Sequence, residues 1–322
     1  MADPGAPATD HVEVEYPEVE WQEQMPPAHH ARSVYRDTNA VPRTPAGTTL
    51  HMDLLEGDVA PRVLTVGDPA RAARIAEALD AVRLQKVSSR GFNTYTGTIE
   101  GTEVSIIAIG MGLPMADFFV RETRQILSGP VLMVRYGTCG ILQPHVPTGG
   151  VVVATEGSVL VQRNPDAFLP PPLASSSGNG GQQSQTEPYL IFRPQPADAQ
   201  LSAALVSELS AEIGAERVVE GLNASADSFY SSQGRRDECF EDDNLGLLER
   251  LRREHPSVVS MEMETFQLFA LANSSRGGIR AAAASIGVAN RPTGDVCSEA
   301  TLDGLEFRGG RAVLRALART PL

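Results

Sequence analysis

The amino-acid sequence predicts an α/β fold with a mixed central β-sheet flanked by helices. Short apolar runs rich in β-branched residues alternate with amphipathic segments, as expected when strands and helices share one layered domain. The apolar run 131–135 leads into the small residues 137–140, which predicts a buried strand followed by a sharp turn. Open α/β sheets bind ligands at such strand ends, so we expect a site at this turn.

Changes in composition divide the chain into a tail, a domain and an insertion. Residues 1–46 contain many proline, alanine and acidic residues without sustained periodicity, so they predict a disordered or loosely docked tail. Residues 47–322 are predicted to form a single domain. Within it, residues 163–196 carry the low-complexity run PPPLASSSGNGGQQSQ, which predicts a surface insertion.

Local patterns predict the elements of the domain in order. Strands are expected at 62–66, 92–100, 103–109, 131–135, 150–155, 217–223, 257–261 and 279–289, and helices at 69–79, 113–127, 197–213, 262–273 and 305–317. Asp68 and Pro69 suit the N-cap and first position of the first helix. The glycines before the second helix resemble a dinucleotide fingerprint, but Met115 occupies its third glycine position, so we exclude a Rossmann cofactor site.

Composition limits the partners and the compartment. The net charge of −13 argues against nucleic acid as a partner, because binding a phosphate backbone requires a basic face. No apolar run approaches the roughly 18 residues of a transmembrane helix, so no membrane association is expected. The three cysteines are too few and too scattered for a disulfide framework, which makes the reducing cytoplasm the expected compartment.

Two arginines indicate an anion-binding site. Arg71 falls in the first turn of the first helix, where its charge opposes the helix dipole unless an anion lies between them. Gly67, just before this helix, lets a ligand approach the backbone closely. Arg135 falls at the predicted turn, where a permanent charge needs an anionic partner, and the Thr138 hydroxyl could complete the site. For each arginine, the alternative is an ordinary salt bridge with a nearby carboxylate.

A polar loop and a pair of carboxylates supply further candidates. Gln233 and Arg235 are two residues apart, so in an extended loop both side chains can point the same way. Their donors and acceptor could then read the edge of a small imide, the alternative being a solvated loop. Glu262 and Glu264 cannot share one helix face, so we expect one to cap the helix and the other to bind a ligand.

Six short motifs occur in a fixed order along the domain. They are GDPARAARIA at 67–76, GMGLP at 110–114, VRYGTCGILQPHVPTGGVVVAT at 134–155, ASADSFYSSQGR at 224–235, MEMET at 261–265 and NR at 290–291. Together they resemble the nucleoside phosphorylase family, and within it the uridine phosphorylase branch. The resemblance covers residues 51–317 apart from the insertion, and it implies a single nucleoside phosphorylase-like domain.

The resemblance implies phosphorolysis, in which uridine and inorganic phosphate give uracil and ribose 1-phosphate. Matching the motifs residue by residue implies phosphate binding by Gly67, Arg71, Arg90, Arg135 and Thr138, ribose binding by His51, Thr138, Met263 and Glu264, and base binding by Phe229, Gln233 and Arg235. The implied catalytic groups are Arg71, Arg135, Arg235 and Glu264. Because phosphate is a weak nucleophile, catalysis should come from alignment and from stabilising an oxocarbenium-like ribose.

The resemblance also implies a homo-oligomer. In the family, the counterparts of His51 and Arg90 reach the active site of the neighbouring subunit, so the sites are shared across a dimer interface. Inorganic phosphate is the co-substrate, and no cofactor or metal is expected. Some bacterial members bind an interfacial cation through a glutamate and a serine, but Gly91 and Met115 occupy those positions here.

Three alternative functions remain open. A purine or broad-specificity nucleoside phosphorylase would place an aspartate near position 290 to protonate the purine, whereas this sequence has Asn290 beside Arg291. A nucleosidase would use water as the nucleophile and would not need a cage of arginines. A catalytically silent nucleoside-binding relative would bind uridine without turnover.

Overall fold

The computed structural model describes residues 39–169, 187–276 and 278–322. The strands are β1 (Arg62–Val66), β2 (Ala81–Val87), β3 (Asn93–Ile99), β4 (Thr102–Ala108), β5 (Val131–Ile141), β6 (Val151–Val153), β7 (Ser158–Arg163), β8 (Tyr189–Ile191), β9 (Val218–Glu220), β10 (Leu222–Ala226), β11 (Val258–Glu262) and β12 (Ile279–Asn290). The α-helices are α1 (Pro69–Ala76), α2 (Leu113–Ile126), α3 (Ala199–Ile213), α4 (Leu247–Glu254), α5 (Thr265–Ser274) and α6 (Glu299–Arg319).

All of these strands belong to one mixed sheet. Its main path runs β2-β3-β4-β1-β5-β11-β10-β7-β8, while β12 pairs with β5 and β6, and β9 pairs with β6. The central pairs β1–β4, β1–β5 and β5–β12 are parallel, whereas β2–β3, β3–β4 and β5–β11 are antiparallel. The predicted α/β class with a mixed central sheet is therefore confirmed.

Alternation along the strands gives the sheet a hydrophobic core on each face. Leu64 and Val134 contribute to one core, together with buried residues of α1, α3 and α6. Val63 and Met133 contribute to the other, together with buried residues of α2 and α5. Gly309 in α6 makes room for the Tyr136 side chain of β5, because a Cβ at this position would fall 1.9 Å from the Tyr136 hydroxyl. No helix within the described ranges is both long and apolar enough to cross a membrane.

The predicted turn at residues 137–140 is wrong, because β5 continues straight through it to Ile141. Parallel pairing with β12 extends along this segment, with Ser285 opposite Gly137 and Gly287 opposite Cys139. Gly287 is required by crowding, since a Cβ there would lie 2.4 Å from the Ile141 side chain. The small residues therefore permit close packing inside the sheet instead of ending the strand.

The predicted insertion at 163–196 also differs from the structure at its described ends. Arg163 is the last residue of β7, and β8 returns to pair with β7 in antiparallel register. Tyr189 in β8 is buried against the apolar residues of β7 and β10. These flanks therefore belong to the sheet, and the middle of the predicted insertion, 170–186, lies outside the described residues.

The other differences concern element boundaries and the tail. The strand predicted at 217–223 is divided into β9 and β10, and the sequence did not predict β2, β7, β8 or α4. Most of the predicted tail, residues 1–38, lies outside the described residues. Its described end contacts the domain, where the Arg43 guanidinium donates to the backbone carbonyl of Gln125 on α2 at 3.1 Å.

Candidate active site

A pocket of about 180 Å³ opens near the C-terminal ends of β5, β11 and β12. Seven of the predicted site residues line it, namely Arg135, Thr138, Phe229, Gln233, Arg235, Met263 and Glu264. The remaining lining residues are Met111, Cys139, Gly140, Met261, Glu262, Val288, Ala289 and Arg291. The pocket therefore lies at the sheet edge that the sequence predicted, although a continuous strand forms it instead of a turn.

Arg135 is fixed in this pocket by two buried carboxylates. Its Nε donates to Glu262 Oε2 at 3.1 Å, and its Nη2 donates to Glu264. All three side chains are buried. Its third nitrogen, Nη1, is also buried but has no hydrogen-bond partner within the described residues. An unsatisfied buried guanidinium nitrogen is costly, so this donor is available to an acceptor that enters the pocket.

Glu262 is the structural member of the carboxylate pair. It accepts hydrogen bonds from the backbone N–H groups of Glu264 and Thr265, both at 3.0 Å, and thereby caps α5. Asn223 Nδ2 at 2.9 Å and Ser225 Oγ at 2.5 Å donate to its other oxygen. Burial opposes ionisation of Glu262, but Arg135 and these hydrogen bonds outweigh it and lower the pKa of the carboxyl group. Glu262 is therefore held as a carboxylate.

Glu264 is the second buried carboxylate of the pocket. Its Oε1 accepts the Gly112 N–H at 2.5 Å, at the start of α2, and its Oε2 accepts from Arg135. Burial raises the pKa of Glu264 to about 7, with Arg135 opposing the shift and the neighbouring Glu262 charge adding to it. Glu262 is therefore the member of the pair that caps α5, whereas ligand binding by Glu264 stays a prediction, and Glu264 titrates near neutral pH.

The opposite side of the pocket is cationic and partly aromatic. Arg235 Nε donates to the Phe229 carbonyl at 3.0 Å, and the guanidinium carbon lies 4.1 Å from the centre of the Phe229 ring. Arg291 Nη1 donates to the Gln233 carbonyl at 3.1 Å. Burial lowers the pKa of both arginines, and Arg235 lowers that of Arg291 further. Two neighbouring cations favour a ligand that carries or develops negative charge on this side.

Arg291 is a pocket residue that the sequence argument did not assign to the site. The side chain of the adjacent Asn290 holds a loop in place, because its Nδ2 donates to the backbone carbonyls of Gln143 at 3.0 Å and Val146 at 2.8 Å. Asn290 is not among the described residues that line the pocket, whereas Arg291 is. The position of Arg291 at the end of a predicted buried strand was the signal that could have identified it.

Two predicted phosphate ligands, Gly67 and Arg71, are not among the residues that line this pocket. Arg71 is buried, and its Nε donates to Glu306 Oε1 of α6 at 2.8 Å. The alternative for Arg71 was a salt bridge with a nearby carboxylate, but its partner Glu306 is 235 residues away in the chain. A Cβ at Gly67 would lie 3.1 Å from the Gly110 carbonyl oxygen, so this glycine is required by close backbone packing.

The two residues predicted to cross a subunit interface also lie outside the lining. His51 Nδ1 is 2.5 Å from Glu122 Oε1, and the His51 ring stacks on Phe118 with the ring centres 4.0 Å apart. Arg90 is exposed on the segment between β2 and β3. In one chain neither side chain reaches the pocket, so their roles in a partner's site stay predictions.

Cys139 lines the pocket without the surroundings of a nucleophile. Its side chain is buried, and burial together with the Glu262 charge raises the pKa of the thiol well above its usual range. The thiol is therefore protonated at neutral pH. Across the described parts of the chain, no group of three or more His, Cys, Asp or Glu side chains is arranged to hold a metal ion.

Several known proteins resemble this chain over most of its length. A uridine phosphorylase from Thermococcus kodakarensis is 30% identical over 256 residues, which is 79% of this chain and 82% of that protein. One from Escherichia coli K12 is 29% identical over 273 residues, which is 84% and 96% respectively. A solved structure from a structural and catalytic study of two uridine phosphorylases in the oomycete Phytophthora capsici is 43% identical, with a TM-score of 0.82 over 90% of this chain and 100% of that one. Because the family model described as the phosphorylase superfamily matches residues 61–319, the chain belongs to the phosphorylase superfamily.

Proposed function

We propose that this protein is a uridine phosphorylase, which cleaves uridine with inorganic phosphate to give uracil and ribose 1-phosphate. The observation that carries the proposal is the buried Arg135, which lines one pocket with Glu264 and Arg235 and whose Nη1 lacks a hydrogen-bond partner in the described chain. Phosphate, ribose and base each need one of these groups. The named relatives, all uridine phosphorylases, support the choice of substrate.

Arg135 and Thr138 are proposed to bind phosphate from the floor of the pocket. Phosphate would supply the acceptor that Arg135 Nη1 lacks, and charge-assisted hydrogen bonds of this kind are strong. Gly67 and Arg71 are proposed to complete the site from the start of α1, and Arg90 from a second subunit. In this arrangement Glu306 would hold the Arg71 guanidinium in place through Nε.

Glu264 is proposed to bind the ribose hydroxyls, with Met263 packing against the sugar and His51 reaching it from a partner chain. Glu264 accepts hydrogen bonds from Arg135 and from the Gly112 N–H. Phosphate bound at Arg135 Nη1 would share the guanidinium charge that pairs with Glu264, and the weakened pair would let Glu264 turn toward the ribose. Its carboxylate would then stabilise the positive charge that develops on the sugar as the glycosidic bond breaks.

Phe229, Gln233 and Arg235 are proposed to bind uracil. The departing base carries negative charge on its carbonyl oxygens, and the cationic side of the pocket stabilises that charge. Arg291, with its guanidinium anchored on the Gln233 carbonyl, adds to the same field. The reaction as a whole uses no group that must act as a covalent nucleophile, in agreement with the protonated Cys139.

Release of uracil from uridine, measured with and without inorganic phosphate, tests the proposal. We expect fast cleavage only when phosphate is present, and no cleavage of inosine under the same conditions. Equal rates without phosphate would indicate a nucleosidase, and inosine cleavage would indicate a purine or broad-specificity enzyme. Uridine binding without any turnover would indicate the silent relative.

Replacing Arg235 tests the base pocket. We expect Arg235→Ala to lower kcat for uridine about 10²–10³-fold, because removing one donor from a site of developing negative charge typically costs that much. Arg236→Ala is the matched control, since Arg236 is the adjacent arginine and is exposed outside the pocket lining. Near-normal turnover of Arg235→Ala, with circular dichroism unchanged, would remove Arg235 from the mechanism.

We further propose that the protein is a cytoplasmic homo-oligomer with active sites shared across a dimer interface. Its three cysteines, Cys139, Cys239 and Cys297, are all unpaired, which suits a reducing compartment. His51 and Arg90 lie outside the pocket of their own chain, which suits a contribution to a neighbouring one.

A further inference from the structure

A cleft of about 440 Å³ lies between the C-terminal halves of α2 and α5, separate from the proposed active site. This volume is within the range of small-molecule sites in proteins. Val120, Leu271 and Ile279 provide apolar lining, and Val41 from the segment preceding the domain also contributes. The cleft can therefore accommodate a ligand with an apolar or aromatic part.

The charge of this cleft is opposite to that of the chain. Arg121, Arg124 and Arg276 line it, and none of the described lining residues is an aspartate or glutamate. The chain as a whole has a net charge of −13. Three cations gathered in one cleft of an acidic protein raise the local concentration of anions.

Several donors in the cleft lack strong acceptors. Arg276 has no ion pair within the described residues, and Arg124 Nη1 donates only to the neutral Gly129 carbonyl at 2.8 Å. Gln125 also lines the cleft, and its Nε2 is buried without a hydrogen-bond partner in the part of the chain that is described. Arg121 is paired with the half-exposed Asp117, a contact that contributes little. A multivalent anion would satisfy these groups together.

The cleft is too far from Glu264 to be an extension of its pocket. Helix α2 begins beside Gly112, whose N–H binds Glu264, and Gln125 lies twelve residues further along it than Leu113. The lining residues of α2 begin at Val120, so at the usual helical rise the cleft lies about 10 to 18 Å along the helix from its start, and no described residue lines both pockets. A ligand here would therefore bind independently of the groups proposed to bind uridine.

We propose that this cleft binds a small organic phosphate of nucleotide size. Its phosphate would lie against Arg121, Arg124 and Arg276, and its apolar or aromatic part against the aliphatic side chains. Inorganic phosphate alone would leave the apolar lining uncovered, and an uncharged nucleoside would leave the arginines unpaired. Both halves of the ligand therefore contribute to its recognition.

Binding of uridine 5′-monophosphate, measured by isothermal titration calorimetry, tests this site. The cleft variant is Arg121→Ser combined with Arg276→Ser, and the active-site variant is Arg235→Ala. Arg193→Ser combined with Arg253→Ser is the control for the loss of two exposed charges outside the cleft. Inorganic phosphate and uridine are titrated into wild type and the cleft variant as the two partial ligands.

We expect the nucleotide to bind wild type, the control and Arg235→Ala with similar affinity. In the cleft variant the affinity should fall at least tenfold, since two arginines that would make charge-assisted hydrogen bonds to the phosphate are removed. Inorganic phosphate and uridine should bind the cleft variant and wild type equally, because they occupy the active site.

Three results would overturn the proposal. Loss of nucleotide binding in Arg235→Ala with retention in the cleft variant would place the nucleotide in the active site. Weaker binding of inorganic phosphate to the cleft variant would show that the cleft binds simple anions and does not select an organic phosphate. An altered sedimentation coefficient of the cleft variant, without nucleotide binding to wild type, would make the cleft a contact between copies of the chain. None of these results depends on uridine turnover.

Discussion

At the scale of single residues, Glu264 connects the electrostatics of the pocket to a measurable pH dependence. Burial raises the pKa of its carboxyl group to about 7, and the proposed role on the ribose requires the ionised form. We therefore expect kcat/KM for uridine to rise with pH through about 7, since this ratio reports ionisations of the free enzyme. Glu264→Gln should be slower by about 10²–10³-fold.

The same variant should also abolish the pH dependence, because a glutamine cannot ionise. Its stability provides the control. A pKa raised above the ordinary value of 4.5 means that protonated Glu264 contributes stability below that value, and this contribution is lost as pH rises through about 7. Glu264→Gln should therefore unfold at pH 8 at a temperature no lower than wild type. A limb near pH 7 that persists in Glu264→Gln would assign the ionisation to another group.

Glu306 is predicted to act on phosphate through Arg71. Its carboxylate accepts the Arg71 Nε at 2.8 Å, and both side chains are buried. We expect Glu306→Gln to raise the KM for phosphate about tenfold while kcat at saturating phosphate changes less, because a charge-assisted hydrogen bond becomes a neutral one.

The control for Glu306 is its neighbour Asp303. That carboxylate is half-exposed and pairs with Arg74, not with Arg71. Asp303→Asn should leave both kinetic constants unchanged. A loss of kcat and KM together in Glu306→Gln, accompanied by a lower melting temperature, would indicate general damage to the packing of α1 on α6.

Most site residues could be predicted from the sequence, whereas their partners could not. Motifs place Arg135, Gln233 and Glu264 in the pocket because each motif is a short continuous stretch of chain. Glu306 is 235 residues from Arg71, and no local pattern connects the two. The orphaned Arg135 Nη1 is likewise visible only after the surrounding groups have been packed.

At the scale of elements, the small residues in β5 mark crowding inside the sheet. Gly137 and Arg135 are two residues apart on one strand and so face the same side. A Cβ at Gly137 would lie 3.1 Å from Arg135 Nη2, whereas a Cβ at Gly140 would lie 3.4 Å from Arg291 Cγ. Gly137 therefore lies next to the arginine proposed to bind phosphate, and Gly140 lies next to the arginine on the side proposed to bind the base.

This separation predicts opposite effects of two similar substitutions. Gly137→Ala should displace the Arg135 guanidinium by a few tenths of an ångström, which raises the KM for phosphate more than that for uridine. Gly140→Ala should act on the Arg291 side and raise the KM for uridine more. Steady-state kinetics with each substrate varied in turn would check this. Identical changes in the two KM values for both variants would show that the glycines affect only the packing of β5 and not the two sides of the pocket separately.

The elements also show where local sequence patterns are misleading. Glycine and threonine near an apolar run are typical of turns, so the end of β5 looked like one. The last residues of β5 pair with β12 and β11, which come more than a hundred residues later in the chain. This pairing keeps the segment extended, and no local pattern reveals it. For the same reason β8 was missed, because its three residues become a strand only beside β7.

At the scale of the whole molecule, active sites shared between two subunits would allow two different variants to complement each other in a mixed dimer. Arg90 and Glu264 would serve different sites within one chain. In a mixed dimer of Arg90→Ala and Glu264→Gln subunits, one site would combine both wild-type residues, and the other would combine both substitutions.

Random mixing of these two inactive variants should therefore restore activity. Half of the dimers would be mixed, and each would hold one intact site out of two, so recovery should approach about a quarter of the wild-type rate. The measurement is uridine phosphorolysis after co-expression of the two chains. Glu264→Gln mixed with Arg235→Ala is the control, because both residues line the pocket of their own chain, so no intact site can form. If the first mixture recovers no more activity than the control, Arg90 acts within its own chain or not at all.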